Sequence, residues 1–251
     1  TRAASGGAAG TVRDWDPATG SELRALAGHD ALVSAVALTA DGGRVLSGGY
    51  DGAVVWWDAA AGRELRRLEG AAKYVHAVAL HPTKKRAAVA ADRSVLLWDY
   101  STGEVVKRWE AHAGAVTCVR YFEGGRLLVT GGDDRRVKVW DADTGKLLAD
   151  LAGHDGGVRG VDLLPGGRWL LSASADRTVR LWDLSAKREA AAFRKHGAGA
   201  VAAAFLPSGR RTLSGGRDAT TLIWDVGRWV DGKPGGGVAP AAPPDRIPEA
   251  R

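Results

Sequence analysis

Histidine, serine or threonine, and aspartate recur together in this chain, and these are the residue types of a hydrolase triad. In each set the histidine lies 22 residues before the aspartate and the hydroxyl residue lies four before it. The four sets are His29, Ser47 and Asp51; His112, Thr130 and Asp134; His154, Ser172 and Asp176; and His196, Ser214 and Asp218. An active site has unique surroundings and forms once in a chain. Because these sets are repeated, we predict a structural role for them and no catalytic residue in this chain.

A tryptophan six residues after each aspartate completes the repeated set. The dipeptide Trp-Asp begins at residues 15, 57, 98, 140, 182 and 224, at intervals of 42, 41, 42, 42 and 42 residues, and such intervals indicate a repeat architecture. Aspartate can bond a neutral histidine, the histidine a hydroxyl, and the hydroxyl an indole N–H. We therefore predict four quartets that connect neighbouring strands, in which the four sets above are joined, in order, by Trp57, Trp140, Trp182 and Trp224.

The pattern resembles the WD-repeat (tryptophan-aspartate repeat) β-propeller family, in which each unit runs from Gly-His to Trp-Asp. Gly-His occurs at Gly28-His29 and Gly153-His154. The resemblance covers roughly residues 1–226 and implies an all-β fold of six recognisable four-stranded blades, with quartets that are structural. The first blade lacks its first strand and the last ends after Trp224 without an outer strand. We therefore expect a fragment of a ring of seven or more blades.

The repeat that ends at Trp98 departs from the pattern. Counted against the other repeats, Ala71 stands where histidine belongs and Ala88 where serine belongs, which leaves only Asp92 and Trp98. We expect this blade to be the least well held.

Three further side chains carry expectations about their environment. His81 precedes Pro82 in a predicted hairpin turn and is expected in solvent. Arg180 alternates with apolar residues in a strand and is expected to reach solvent. Cys118 aligns with small residues of other repeats and is expected to be a buried, unreactive thiol.

Composition and charge argue against several functions. The net charge is +6 and the isoelectric point about 9.7, but the basic pairs are spread over different repeats, so no nucleic-acid partner is expected. The chain has a single cysteine, and the quartet histidines lie one per repeat and far apart, so no metal site is expected. No cofactor is expected either, because the glycines follow the repeat and form no phosphate- or dinucleotide-binding motif. No apolar run of membrane-spanning length exists. We expect a cytoplasmic location. The Gly- and Pro-rich residues 227–251 are predicted to form a linker or disordered tail.

Function is therefore expected at the surface, and the resemblance implies the top face around the central channel. We predict that a protein or peptide partner binds there to seven side chains: Leu32, Tyr50, Tyr74, His76, Asp133, Arg159 and Arg217. These side chains could equally cover the channel rim without binding a partner. The predicted function is a non-catalytic, monomeric protein-interaction or scaffold module of a larger bacterial protein. Alternatives are a regulatory or substrate-docking domain of a multidomain enzyme such as a Ser/Thr kinase, and a small-ligand or peptide sensor at the channel mouth.

Overall fold

The computed structural model describes residues 2–232, and their secondary structure is almost entirely β. Twenty-two strands form six antiparallel sheets of three or four strands each. The all-β prediction is confirmed, and so are the incomplete first and last blades, because those two sheets have three strands. The chain divides into two compact units, Thr1–Gly125 and Arg126–Arg251.

The first unit contains three sheets and one further strand. The sheets have the strand orders β1-β2-β3, β4-β5-β6-β7 and β8-β9-β10-β11. The strands are β1 (Ala3–Gly6), β2 (Thr11–Asp16), β3 (Ser21–Ala27), β4 (Val33–Leu38), β5 (Arg44–Gly49), β6 (Val54–Asp58), β7 (Arg63–Leu68), β8 (Val75–Leu80), β9 (Arg86–Ala91), β10 (Ser94–Asp99), β11 (Glu104–Glu110) and β12 (Val116–Phe122). A short 3₁₀ turn at Glu123–Gly125 ends the unit.

The second unit contains the remaining strands and one short helix. Strands β13 to β15, β16 to β19 and β20 to β22 pair in sequence order. The elements are β13 (Leu127–Gly132), β14 (Val137–Asp141), β15 (Leu147–Leu151), β16 (Val158–Leu163), β17 (Trp169–Ser174), β18 (Val179–Asp183), β19 (Arg188–Phe193), β20 (Ala200–Phe205), β21 (Arg211–Gly216), β22 (Thr221–Asp225) and α1 (Gly227–Val230).

The cores lie between successive sheets of each unit. In the first unit Trp57 packs against Val12 and Leu26 of the preceding sheet, and Trp98 packs against Trp56 in the same way. The inner strands are apolar along most of their length because neighbouring sheets cover both of their faces. The repeat therefore produces its core by stacking, since no sheet could bury two apolar faces alone.

Helix α1 extends the last core past the Trp-Asp dipeptide. Trp229 and Val230 pack against the cluster that contains Phe193 and Trp224, and the rings of Phe193 and Trp229 meet edge to face with centroids 5.8 Å apart. The start of the predicted tail is thus attached to the last sheet. Residues 233–251 lie outside the described part of the chain.

A β-bulge interrupts every pairing between a strand that ends in Trp-Asp and the outer strand that follows it. Opposite each Trp of the Trp-Asp dipeptide, the outer strand contains one extra residue. The extra residues are all apolar: Leu23, Leu65, Val106, Leu148 and Ala190. A bulge bends its strand and increases the local twist, so none of these five outer strands is straight.

Three expectations about side-chain environments are wrong. His81 is buried, because its Nδ1 accepts hydrogen bonds from the backbone N–H groups of Thr83 and Lys84 at 3.2 and 3.0 Å. Arg180 is buried, because Glu189 of the adjacent outer strand neutralises it. Cys118 is only partly buried, as are most residues of its strand, β12.

Within residues 2–232, no helix has the length and apolar character needed to cross a membrane.

Candidate functional site

The first quartet forms a continuous chain of hydrogen bonds between strands. His29 Nδ1 lies 2.9 Å from Asp51 Oδ2, and His29 Nε2 lies 2.7 Å from Ser47 Oγ. The Trp57 indole N–H donates to the same Ser47 oxygen at 2.8 Å. Asp51 also accepts the backbone N–H of Asp30 at 3.0 Å. The carboxylate thereby links the segment before β4 to the turn between β5 and β6.

The quartet of the fifth repeat has the same geometry. His154 Nδ1 lies 2.7 Å from Asp176 Oδ2, and His154 Nε2 lies 2.7 Å from Ser172 Oγ. Trp182 is almost fully buried, and its indole N–H donates to Ser172 Oγ at 2.8 Å. The rings of Trp182 and His154 also meet edge to face, with centroids 5.9 Å apart. The structure thus brings together all four residues that the sequence pattern grouped in this repeat.

The quartet of the sixth repeat has the same geometry. His196 lies 3.2 Å from Asp218 and 2.8 Å from Ser214, whose Oγ accepts the Trp224 indole N–H at 2.8 Å. In the remaining quartet the Trp140 indole N–H donates to Thr130 Oγ1 at 2.9 Å. His112, which the sequence pattern assigns to this set, is buried in the first unit. The Asp134 carboxylate of the second unit accepts the backbone N–H of Arg136 at 3.2 Å in the turn between β13 and β14.

The positions of these hydroxyls suit a structural role and do not suit nucleophilic attack on a substrate. Ser47 and Ser172 are fully buried, and each Oγ already meets an imidazole and an indole. A nucleophilic serine needs an open approach to its oxygen, with an oxyanion pocket beside it. The quartets therefore hold strands together.

A fifth member joins two quartets of the second unit. Thr178 Oγ1 donates to Asp176 Oδ1 at 2.7 Å, and Thr220 Oγ1 donates to Asp218 Oδ1 at 2.8 Å. This hydroxyl was not predicted from the sequence. Its signal is the motif Asp-x-Thr, which both repeats contain and in which the first quartet has Ala53 instead of threonine.

Hydrogen bonds favour the charged form of at least two quartet aspartates, Asp51 and Asp176. Burial acts to raise the pKa of Asp176, but hydrogen bonds from Thr178, His154 and the Asp155 N–H outweigh it and lower that pKa. Burial likewise opposes the lowered pKa of Asp51, which results from the backbone N–H groups of Ala53 and Asp30 and from His29. Burial lowers the pKa of His154 and so favours its neutral form.

The third sheet differs from the others by the length of its central hairpin. Only Asp92 and Arg93 separate β9 from β10, whereas four residues separate β5 from β6. In the other quartets the hydroxyl residue pairs with the residue two before tryptophan, as Ser47 does with Val55. In the third sheet that place belongs to Val89, which pairs with Leu96.

Ala88 is therefore not the counterpart of serine, and that part of the prediction is wrong. Ala88 pairs with Leu97 and lies on the opposite face from Trp98, whereas Val89 lies in the core cluster that contains Trp98. Ala71 does stand in the histidine position, since its N–H bonds Gly52 O as His29 N–H bonds Gly10 O. As a result, the buried Trp98 Nε1 has no hydrogen-bond partner among residues 2–232.

Because alanine occupies the histidine position of this repeat, Asp92 bonds the backbone of a surface loop instead. Its carboxylate accepts the backbone N–H of Lys73 at 3.0 Å and of Tyr74 at 3.2 Å, and the Asp92 N–H donates to Tyr74 O at 3.0 Å. The short hairpin therefore anchors the backbone of Tyr74.

A second kind of bulge, at the start of the first strand of a sheet, occurs at predicted surface positions. In four sheets the extra residue opposite the second strand is Ser34, His76, Arg159 or Val201. Bulges re-aim side chains and are frequent beside functional sites. Two of these residues, His76 and Arg159, belong to the predicted partner-binding set.

In the first unit the predicted residues form one aromatic cluster. The ring centroids of Tyr50 and Tyr74 are 5.2 Å apart, and His76 lies 5.7 Å from Tyr50 and 6.3 Å from Tyr74. Leu32 is adjacent, because its carbonyl accepts the Tyr50 N–H at 2.9 Å. Lys73 Nζ lies 5.0 Å from the centre of the Tyr74 ring. Tyr50, Tyr74 and Leu32 are 41%, 36% and 36% exposed.

In the second unit the predicted residues are charged. Arg159 Nη1 lies 2.8 Å from Asp133 Oδ1. Arg159 and Arg217 line one small cavity together with Val201 and three small residues. The seven predicted surface residues thus form two groups of different chemistry, one in each unit. Among the described residues, no group of three or more histidine, cysteine, aspartate or glutamate side chains is arranged to hold a metal ion.

The repeated antiparallel sheets, each with a Trp-Asp dipeptide at the end of one strand, define a repeat protein of the β-propeller class. The WD domain, G-beta repeat family matches residues 20–58, 62–99, 103–141, 145–183 and 188–225. The chain belongs to that family. A search of curated proteins returned no match.

Proposed function

We propose that this chain is a cytoplasmic, non-catalytic protein-interaction or scaffold module of a larger protein, and that its aromatic cluster binds a protein or peptide partner. WD40 repeats generally mediate protein–protein interaction or scaffolding. The observation that carries the proposal is the contact of Tyr50, Tyr74 and His76 at the surface beside Leu32.

The chemistry of this cluster suits a protein partner. Tyrosine supplies a large contact area with few rotatable bonds and a hydroxyl that can hydrogen-bond, and it is enriched among the residues that dominate binding energy. Asp92 fixes the backbone of Tyr74, and Lys73 lies over its ring. A surface that is ordered before binding loses less conformational entropy when the partner docks.

The test measures how much of a partner's affinity depends on the two rings. Partners captured by the whole chain from cell extract are identified and purified, and their affinity is then measured by calorimetry. Changing both Tyr50→Ala and Tyr74→Ala should weaken binding by about 2 kcal/mol or more if these rings are hot spots. Leu23→Ala is the matched control, because Leu23 is similarly exposed in the same unit but lies on the outer strand β3.

Equal affinities of the double variant and wild type would reject the aromatic cluster as the binding site. Urea unfolding of each variant shows whether a loss reflects binding or stability. The same surface would serve a regulatory or substrate-docking domain of a multidomain enzyme, such as a bacterial Ser/Thr kinase. The complete reading frame distinguishes the two proposals, because a catalytic domain would be visible in it.

A small-ligand sensor is a second candidate, supported by a cavity of about 430 Å³ in the first unit. Strands β4, β8 and β12 line it with mainly apolar side chains, including Val36, Val78 and Tyr121. This volume falls in the range of about 300–1,000 Å³ that is usual for small-molecule sites. Thermal-shift screening against metabolites tests the idea, with Ala79→Leu as the variant that should fill the cavity and abolish any shift.

A further inference from the structure

We propose that the cavity between Arg159 and Arg217 binds the carboxylate or phosphate group of an acidic residue in a partner peptide. This inference deepens the proposed function, on which it rests, because both arginines belong to the predicted partner-binding set. It concerns a different unit and a different chemistry from the aromatic cluster.

The wall of the cavity combines cationic side chains with small and apolar ones. Six residues line the cavity: Arg159, Ala175, Gly199, Ala200, Val201 and Arg217. Two are cationic, none is acidic, and the rest are small or apolar. A guanidinium presents a planar fork of N–H donors that matches an oxyanion, often through two hydrogen bonds. The apolar part of the wall suits the aliphatic stem of a glutamate or of a phosphorylated residue.

The two carboxylates that follow lining residues of the cavity in sequence bond other groups. Asp176 and Asp218 directly follow Ala175 and Arg217, but their carboxylates bond the histidines of their quartets. Arg217 forms no ion pair with any described residue. The backbone of Arg217 is held at the cavity, because its main-chain N–H donates to Gly199 O at 2.9 Å. One cation at the cavity therefore has no internal counter-ion.

Asp133 already forms with Arg159 the kind of ion pair that an incoming acidic group would form. Its carboxylate lies 2.8 Å from Arg159 Nη1, and both side chains are substantially exposed. A Cβ at Gly157 would lie 2.6 Å from this carboxylate, so glycine leaves the space in which the pair forms. Because exposed ion pairs are weak, an incoming oxyanion that also reaches Arg217 can compete with Asp133 for Arg159.

Size decides between ligand classes. The cavity volume is about 170 Å³, below the roughly 300–1,000 Å³ typical of small-molecule sites. It fits one acidic side chain better than a nucleotide or cofactor. No aromatic residue lines it on which an unpaired base could stack, so the geometry favours a peptide over a nucleic acid.

The experiment follows the arginine side chains of the whole chain by NMR. With ¹⁵N-arginine labelling, the Nε–Hε signals of Arg159 and Arg217 are recorded during titration with three blocked tripeptides, Gly-Glu-Gly, Gly-phosphoserine-Gly and Gly-Gln-Gly. Saturable shifts of both signals with either acidic peptide, and none with the glutamine peptide, support the proposal. Whichever acidic peptide binds more tightly identifies carboxylate or phosphate as the preferred group.

Variants separate a specific site from general attraction to a basic protein. Arg217→Ala should weaken binding about tenfold. Arg194→Ala, which removes one exposed charge elsewhere in the same unit, should leave the affinity within about twofold. Asp133→Asn should tighten binding, because Arg159 loses its competing partner. Unchanged or weaker binding by Asp133→Asn would overturn the proposed geometry.

Two further results would overturn the proposal. One is an equal loss of affinity in Arg194→Ala and Arg217→Ala. The other is saturation of the two arginine signals by a thymidine oligonucleotide when neither acidic peptide shifts them. If the double tyrosine variant leaves partner affinity unchanged while Arg217→Ala reduces it, the aromatic cluster fails as the binding site and the acidic-residue site stands.

Discussion

The substitution Val89→Thr tests whether the short hairpin of the third sheet has shifted the register by one residue. Val89 pairs with Leu96 and faces the buried Trp98, whose Nε1 has no partner among the described residues. Threonine has nearly the shape of valine and would place a hydroxyl where Thr130 accepts the Trp140 indole at 2.9 Å. The change should therefore supply the missing acceptor.

The expected magnitude comes from two opposing effects. Burying a hydroxyl without a partner costs about 1–3 kcal/mol in proteins. An unsatisfied buried donor costs a similar amount, about 1–3 kcal/mol, which the new hydrogen bond would recover. Val89→Thr should thus change the free energy of unfolding by less than about 1 kcal/mol. Val95 is equally buried but lies on the opposite face of the same sheet. Val95→Thr should therefore lower the free energy of unfolding by the full cost of an unpaired hydroxyl, about 1–3 kcal/mol.

Urea unfolding measures these energies, and hydrogen exchange of the ¹⁵N-labelled Trp98 indole reports the new bond directly. The exchange should slow in Val89→Thr and stay unchanged in Ala88→Ser, because Ala88 faces away from Trp98. Slower exchange in Ala88→Ser, or equal destabilisation by the two threonine variants, would refute the register shift.

Three other substitutions test the packing and electrostatics. Thr178→Val, at a buried site, should cost about 1 kcal/mol and raise the pKa of its quartet aspartate, measured by urea unfolding and carboxyl NMR titration. Gly28→Ala places a Cβ 2.6 Å from the Trp57 indole and should lower the stability measured by thermal unfolding by about 1–3 kcal/mol. Gly215→Ala, whose new Cβ has no atom within 4 Å, should cost less. Hydrogen bonds from the Arg168 guanidinium, which contributes most, and from Ala186 and Ser185 lower the pKa of Asp183 from 3.8 to about 2. The ion pair therefore stabilises the fold at pH values above the unfolded pKa, and this contribution is lost as the pH falls through the folded pKa. Arg168→Ala should therefore destabilise by no more than about 1 kcal/mol near neutral pH, with the difference from wild type vanishing between about pH 4 and pH 2.

The architecture could be predicted because every repeat contains the Trp-Asp dipeptide at nearly the same spacing. The Trp-Asp spacing located one strand of each sheet, and the partial first and last repeats correctly indicated that the first and last sheets are incomplete. The error at Ala88 arose because positions were counted back from Trp98 across a hairpin of changed length. The signal was present in the 41-residue interval between Trp57 and Trp98, but an interval does not show where a residue is missing.

The surface was harder to predict, because it depends on pairing rather than spacing. The bulges that present His76 and Arg159 break the two-residue alternation, so pattern alone cannot show on which side a residue lies. Likewise, Arg180 and His81 were expected in solvent because their polarity was considered without their partners. Glu189 and two backbone N–H groups offset the free-energy cost of burying these side chains.

The extra apolar residue opposite each tryptophan also affects how this chain behaves in a crowded solution. An outer strand offers free N–H and C=O groups, and a straight one is a template for unwanted polymerisation. In five sheets that edge is crooked at the same point. The bulge interrupts the run of evenly spaced backbone groups that a foreign strand would need, so we expect the repeated extra residue to oppose edge-to-edge pairing of these sheets.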